Sequence, residues 1–240
     1  MISPSSTAMR HLFITATDTD AGKTFVTCGL HRALCEAGER VRALKPVACG
    51  HEGDGISPDV AALLQAQGMA PAQQAEINRY DFAAPLAPSQ AAALEGGRID
   101  ETALLDWCRG HMQGTARCLF EGVGGLMVPL DERFLVSDWL AAMPDCQVLL
   151  VVRARLGGIN HALLTLDRLH AMGRAPRWIV INDADGVGDA MVDRHVIALA
   201  PYLDADSRLY PLSHVDTAGY AAGKAMAELM RSVVAADGDE

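Results

Sequence analysis

The segment His11-Leu-Phe-Ile-Thr-Ala16-Thr17-Asp18-Thr19-Asp20-Ala21-Gly22-Lys23-Thr24 joins a short apolar run to a glycine-lysine-threonine triplet. Leu12-Phe13-Ile14 reads as a buried strand. A helical pattern opens directly after the triplet, with Val26, Leu30, Ala33, Leu34 and Ala37 on one face. Strand, glycine-bearing loop, Lys-Thr and helix form the layout of a phosphate-binding P-loop. Amides at the start of such a helix lack intrahelical partners, and the helix dipole favours an anion there. Lys23 would bring a positive charge to the β- and γ-phosphates, and Thr24 a hydroxyl to Mg²⁺. The usual pattern has a glycine five positions before Gly22, where this chain has Thr17. The alternative is an ordinary strand–turn–helix. Against it, the chain has three lysines (Lys23, Lys45, Lys224) beside seventeen arginines, and one of the three falls in the loop. A lysine chosen where arginine is the default suggests a compact point charge or a tunable pKa.

Outward from this segment, apolar runs and helical patterns alternate. Val41–Leu44 reads as the second strand and leads into Lys45-Pro46-Val47-Ala48-Cys49-Gly50. Later strands are Arg117–Phe120, Cys146–Val152, Trp178–Ile181 and a short one near 207–210. Helices are expected after Asp59, near 89–96, 100–114 and 135–143, from Ile159 to Met172, near 189–200 and at 218–235. Residues 77–90 are too proline-rich for a central element. This alternation predicts an α/β fold: one mostly parallel sheet flanked by helices on both faces, P-loop NTPase-like. A single domain is expected over residues 11–236, after a disordered tail at 1–10 in which Met9 is an alternative start. The acidic end of the last helix is expected to fray.

Half of the 240 residues are hydrophobic, enough for a substantial core, and the formal net charge is −10. An acidic surface repels nucleic acid and anionic membrane, so neither is expected as a partner. No apolar run reaches transmembrane length, and residues 1–10 lack the apolar middle of a signal peptide. The six cysteines form no Cys-x-x-Cys pair. They read as reduced thiols of a cytoplasmic protein. The eight histidines show no metal-ligand spacing, and His161 on a helix face reads as structural.

Lys23, Lys45, Glu121 and Asn182 all fall just after strand ends, on the edge of an open α/β sheet where ligands bind. Glu121 precedes Gly122-Val123-Gly124-Gly125 and, opposite Thr24, suits Mg²⁺ coordination; the alternative is a solvated strand-end acid. Asp59 is a second candidate ligand, or a helix cap. Two lysines in one pocket fit the charge that accumulates in phosphoryl transfer; otherwise Lys45 is a surface lysine beside a strand-ending proline. Gly124 and Gly125 would let the backbone close on a phosphate or substrate. Asn182 would read a base edge, or form an Asn-Asp turn.

Thr17 to Thr24, Lys45 to Ala48, Glu121 to Gly125, Leu156-Gly157-Gly158-Ile159-Asn160-His161-Ala162 and Ile181-Asn182-Asp183 occur in order. With these blocks the chain resembles the dethiobiotin synthetase family from His11 to about Val215. The resemblance implies an ATP- and Mg²⁺-dependent ligase of biotin biosynthesis. In that reaction 7,8-diaminopelargonate takes up CO₂ as a carbamate. ATP phosphorylates the carbamate, and the second amine closes the ureido ring with release of ADP and phosphate. It further implies that Thr24, Asp59 and Glu121 hold the metal. Asp20, Ala21, Gly22, Lys23 and Thr24 would wrap the phosphates, and Asn182, Pro211 and Leu212 would border the adenine. Thr19, Lys45, Cys49 and Gly124 would meet the substrate, with Lys45 and Lys23 catalytic. The family is a homodimer, in which Gly158, Ile159 and Asn160 would reach the substrate carboxylate of the neighbouring subunit. The chain departs from the family in two places. Ala16 stands where glycine usually opens the loop, which restricts the backbone unless φ is negative. Cys49 stands where serine is common, and a thiol is the weaker donor. A partition- or septum-type P-loop ATPase shares the sheet, but the acidic chain argues against its DNA or membrane partners. A cobyrinate amidase-synthetase would need a glutamine-hydrolysing domain for which 240 residues leave no room.

Overall fold

The structure is a computed structural model that describes residues 11–51, 55–114, 116–214 and 223–235. The first half runs β1 (His11–Ala16), α1 (Lys23–Glu36), β2 (Val41–Leu44), β3 (Val47–Cys49), α2 (Pro58–Ala66), β4 (Tyr80–Phe82), α3 (Pro88–Leu94) and α4 (Glu101–Met112). It continues through β5 (Arg117–Glu121), β6 (Pro129–Asp131), β7 (Phe134–Leu135), α5 (Val136–Ala141) and β8 (Cys146–Arg153). The chain then forms α6 (Gly158–Ala171), β9 (Trp178–Asn182), α7 (Asp189–Leu199), β10 (Arg208–Leu212) and α8 (Gly223–Ala235). The expected tail at 1–10, the start of the last helix at 218–222 and the acidic end lie outside the described residues.

Six strands form one sheet in the order β10-β9-β8-β1-β5-β2, and every pair is parallel. All six residues of β1 are buried. That follows from its place between β8 and β5, where neither face nor edge meets water. The continuous apolar run of β8 has the same cause. Helices cover both faces, giving two buried clusters. On one face Leu12, Ile14, Leu30, Leu149 and Val180 pack together with α1 and α8. On the other, Phe13, Leu150 and Ile179 pack with Trp139 and Leu166. Alternate residues of β1 therefore serve opposite cores, as the pleat requires. Phe13 and Trp139 meet edge to face at 4.7 Å between centroids.

The sequence reading missed two small pairings. β3 pairs with β4 in parallel outside the main sheet, and β6–β7 is a short antiparallel ladder. β4 lies within the proline-rich stretch, which indeed contributes nothing to the central sheet. Gly38 follows the Ala37 C-cap of α1 with φ 87°, the left-handed residue that ends a helix. Among the described residues no helix is long and apolar enough to cross a membrane.

Candidate active site

The carboxyl ends of β1, β2 and β5 converge on one cavity of about 860 Å³. Between β1 and α1 the loop needs two left-handed residues, Asp20 (φ 56°) and Gly22 (φ 90°). Asp20 is the only non-glycine with positive φ among the described residues, so Ala16, the last residue of β1, satisfies the negative-φ condition. Its methyl is fully buried. Gly22 is doubly constrained: besides its φ, a Cβ there would collide with the Asn182 amide.

Lys23 opens α1 and is buried. Its Nζ donates to Gly124 O at 2.9 Å and to Asp18 O at 3.3 Å. Neutral carbonyls compensate a buried cation poorly. Burial first, and then the neighbouring Lys45 charge, pull its pKa down to about 8. The next residue, Thr24, holds its hydroxyl 2.7 Å from Glu121 Oε1 and 2.8 Å from Asp59 Oδ1, with one proton to donate to either.

Lys45 lies one residue beyond β2 and is 1% exposed. Its Nζ sits 2.6 Å from Glu121 Oε1, 2.9 Å from Asp59 Oδ2 and 3.0 Å from Gly122 O. Burial alone would lower its pKa, but the two carboxylates outweigh it and hold the ammonium above the usual lysine range. Lys45 is thus no surface lysine, and Glu121, fully buried, is no solvated acid. Nor is Asp59 the cap of α2: Ser57 caps that helix through Val60 N, leaving Asp59 free to face Thr24 and Lys45. Burial raises the Asp59 pKa, but the Lys45 cation overrides this and brings it below the usual value.

The oxygen donors around Lys45 form a set that a hard cation can use. Glu121 Oε2 is buried and meets no hydrogen-bond partner, a costly state that a cation relieves. Thr24, Asp59 and Glu121 supply hard oxygens. No group of three or more His, Cys, Asp or Glu that could hold a metal ion occurs among the described residues. Two carboxylates and a hydroxyl suit an ion that keeps water and phosphate among its ligands, which is the habit of Mg²⁺. The residues fit that ion.

The other residues singled out from the sequence divide into two groups. Thr19, Asp20, Gly22, Cys49 and Gly124 line the same cavity as the two lysines. Ala21 is buried beneath the loop, and its carbonyl accepts the Asn182 amide at 2.9 Å. Asn182 therefore ties the end of β9 to the phosphate loop. Pro211 and Leu212 lie in register beside Ile181 and Asn182. Gly158, Ile159 and Asn160 begin α6 at the carboxyl end of β8 and are not among the residues lining the cavity. Burial pushes the Cys49 thiol up to about 12; Lys45 opposes this, while Asp81 and Glu95 add to it.

Sequence reasoning missed the apolar part of the lining: Pro85, Leu86, Ala87 and Pro88, with Val123 and Val128. The prolines that excluded 77–90 from the sheet are the signal that marked a rigid loop at this edge.

The AAA_26 family model, described as an AAA domain, matches residues 10–200. The ATP-dependent dethiobiotin synthetase BioD of Acidiphilium cryptum (strain JF-5) is 41% identical over 72% of this chain and 80% of its own length. The corresponding BioD 1 of Escherichia coli (strain K12) is 34% identical over 84% and 87%. The chain belongs to the ATP-dependent dethiobiotin synthetase family. Among solved structures, the MinD cell division protein of Aquifex aeolicus superposes with TM-score 0.55 at 14% identity, covering 96% of this chain and 98% of that one. The hydrogenase maturation factor HypB of Archaeoglobus fulgidus gives 0.55 at 13% identity, covering 96% and 91%. At that identity the likeness is one of fold, and the fold is that of the P-loop NTPases. For a dethiobiotin synthetase the deviant loop with Ala16 costs nothing in backbone conformation, because the two left-handed positions fall on Asp20 and Gly22.

Proposed function

We propose that this member of the dethiobiotin synthetase family carboxylates and cyclises 7,8-diaminopelargonate to dethiobiotin at the expense of ATP. The observation that carries the reading is the cluster of Lys23, Lys45, Thr24 and Asp59 lining one cavity, with Glu121 buried behind them and bonded to Lys45 and Thr24. The reaction joins two anions, a carbamate and a γ-phosphoryl group, on a substrate that is otherwise a hydrocarbon chain. The cavity is lined by both lysines and by the apolar Pro85, Leu86, Val123 and Val128.

One amine adds to CO₂ and loses a proton, giving a carbamate. A carbamate oxygen attacks the γ-phosphorus, the bond to ADP breaks, and a carbamic-phosphoric anhydride results. The second amine attacks the carbamoyl carbon and phosphate leaves, closing the ring. Asp20 to Thr24 present backbone amides of the loop and the α1 N-terminus to the phosphates. Lys23 and Lys45 supply positive charge where the γ-phosphoryl group and the carbamate meet, and Lys45 is aimed there by Glu121 and Asp59. Thr24, Asp59 and Glu121 would hold Mg²⁺, which neutralises phosphate charge and aligns the leaving group. Thr19, Gly124 and Cys49 border the diamine. In this reading Asn182, Pro211 and Leu212 flank the adenine, and Asn182 also keeps the loop in place.

The protein acts in the cytoplasm as a homodimer, with the partner subunit's Gly158, Ile159 and Asn160 approaching the substrate carboxylate from a helix N-terminus. The exposed apolar residues around α6 support that assembly: Leu156, Leu164 and Met127 are 95%, 63% and 53% exposed. Nucleic acid and membrane are not partners in this reading.

The test is phosphate release from Mg-ATP with and without 7,8-diaminopelargonate and bicarbonate. Release that needs both, with dethiobiotin in equal amount, is expected. Release indifferent to the diamine would overturn the assignment.

A further inference from the structure

Asp18, in the loop between β1 and α1, turns each of its oxygens to a different neighbour. Its carbonyl accepts from Lys23 Nζ at 3.3 Å, and Oδ1 accepts from the Thr19 amide at 2.8 Å. Oδ2 takes the Arg155 guanidinium at 2.6 Å. The phosphate loop is thus tied to the turn between β8 and α6, 137 residues further along the chain. The nearby cation Arg153 is engaged by Asp185 at 2.8 Å and is not spare to replace Arg155.

Arg155 also belongs to the frame of that turn. Its amide donates to Arg153 O at 3.0 Å, and its carbonyl accepts from Gly158 N, the first amide of α6, at 2.9 Å. Gly158 has no slack: a Cβ on it would collide with the Arg153 carbonyl and stand 2.7 Å from Nε2 of the buried His195. Close-packed elements of this kind pass a displacement on rather than absorb it.

In the functional reading above, the start of α6 serves the substrate held by the other subunit. Asp18 and Arg155 then stand between two catalytic centres. On one side are the phosphates bound by their own chain, and on the other the diamine bound by the partner. A phosphate that draws on Lys23 competes with the Asp18 carbonyl for the same ammonium, so the loop answers to nucleotide at the residue that holds Arg155.

We infer that the Asp18–Arg155 pair couples the two active sites of the dimer, so that nucleotide on one subunit tightens diamine binding at the other. The inference rests on the dimeric diamino-acid reading and adds a regulation to it. Arg155 is a positioning residue that acts through the α6 turn. The two side chains are 37% and 39% exposed, so solvent screens the pair and the coupling is small, about two- to fivefold.

Mixed dimers test it. One chain carries Lys45→Gln, so the single working site belongs to the other chain and borrows α6 from the altered one. Arg155→Met added to the chain that lends α6 should raise the KM for the diamine about two- to fivefold, with kcat little changed. The same change in the chain that owns the working site should leave that KM alone. In the homodimer at subsaturating diamine, the rate should rise with ATP with a Hill coefficient above 1, falling to 1 in Arg155→Met and in Asp18→Asn. The double variant should go no further than either single one, and Arg155→Lys should recover part of the loss. The gap between variant and unaltered protein should close at about 1 M salt, which a purely structural role does not predict. An effect equal from either chain, or none from both in variants of normal thermal stability, would overturn the inference. So would a Hill coefficient that Arg155→Met leaves unchanged. An unaltered protein that turns over no diamine, or does so as a monomer, would overturn the underlying functional reading and this inference with it.

Discussion

Replacing Lys45 with methionine tests the central claim about the active site, that one ammonium neutralises a fully buried carboxylate. The methionine stem fills the same space, so the change is mainly electrostatic. Glu121 Oε1 would keep only the Thr24 hydroxyl at 2.7 Å, and Oε2 already has no partner. Removing one partner of a buried pair leaves the other charge uncompensated, at a cost of about 3–5 kcal/mol. The Asp59 arm adds little, because that side chain is 47% exposed and solvent screens it; such pairs are worth at most about 1 kcal/mol. Lys23→Met is the control. Lys23 bonds only neutral carbonyls and is desolvated at some expense, so its loss should cost on the order of 1 kcal/mol. Urea unfolding at neutral pH measures both. A double variant, Lys45→Met with Glu121→Gln, should be more stable than Lys45→Met alone, since the orphaned charge is gone. Equal losses for the two lysines, or a double variant no better than the single one, would refute the reasoning. In activity assays Lys45→Gln should retain ATP binding and lose most turnover; full turnover would remove Lys45 from the mechanism.

Burial pushes the Cys49 thiol up to about 12, so it stays protonated through the physiological range and its stabilising share is lost as pH rises from about 9 toward 12. Its alkylation by iodoacetamide should keep accelerating beyond pH 9, and a plateau near pH 8.5 would contradict the burial argument. As the weaker donor, it should also give way profitably: Cys49→Ser is expected to lower the KM for the diamine, and an unchanged or higher KM would count against its contact with substrate. Asn182→Ala frees the Ala21 carbonyl and the space over Gly22, so ATP affinity measured by calorimetry should fall about tenfold, the worth of one buried hydrogen bond. Gly158→Ala would drive a methyl against the Arg153 carbonyl and to 2.7 Å from His195 Nε2; thermal unfolding should show a loss of about 1–3 kcal/mol, and a neutral result would mean that the α6 entry is looser than it looks.

What the sequence revealed and what it hid have a common physical basis. The parallel strands announced themselves because burial on both faces demands uninterrupted apolar runs, as in β8. The P-loop and the strand-end positions of Lys45 and Glu121 are local, so spacing found them. The three-residue strands β3 and β4 carry too few side chains to show a period, and the prolines around β4 obscured it further. The bonds joining Lys45 to Glu121 and Thr24 to Asp59 span 76 and 35 residues, and no local pattern encodes such a meeting. Asn182 was visible as a candidate, but its bond to Ala21, 161 residues away, was not. That Asp59 is not the cap of α2 becomes apparent only with Ser57 in the capping position.

The placement of β1 between β8 and β5 also governs how the molecule comes into being. The strand leaves the ribosome before either neighbour, yet all its backbone partners lie in segments made more than a hundred residues later. Until residues 117–121 and 146–153 have emerged, six apolar-facing positions and both strand edges stand exposed. Non-local parallel pairing of this kind is slow and open to aggregation. The nucleotide loop, anchored on the end of β1, is translated before the other cavity-lining segments and is among the last to take shape. Production of active protein should therefore depend more on chaperone supply and elongation rate than the stability of the finished sheet would suggest.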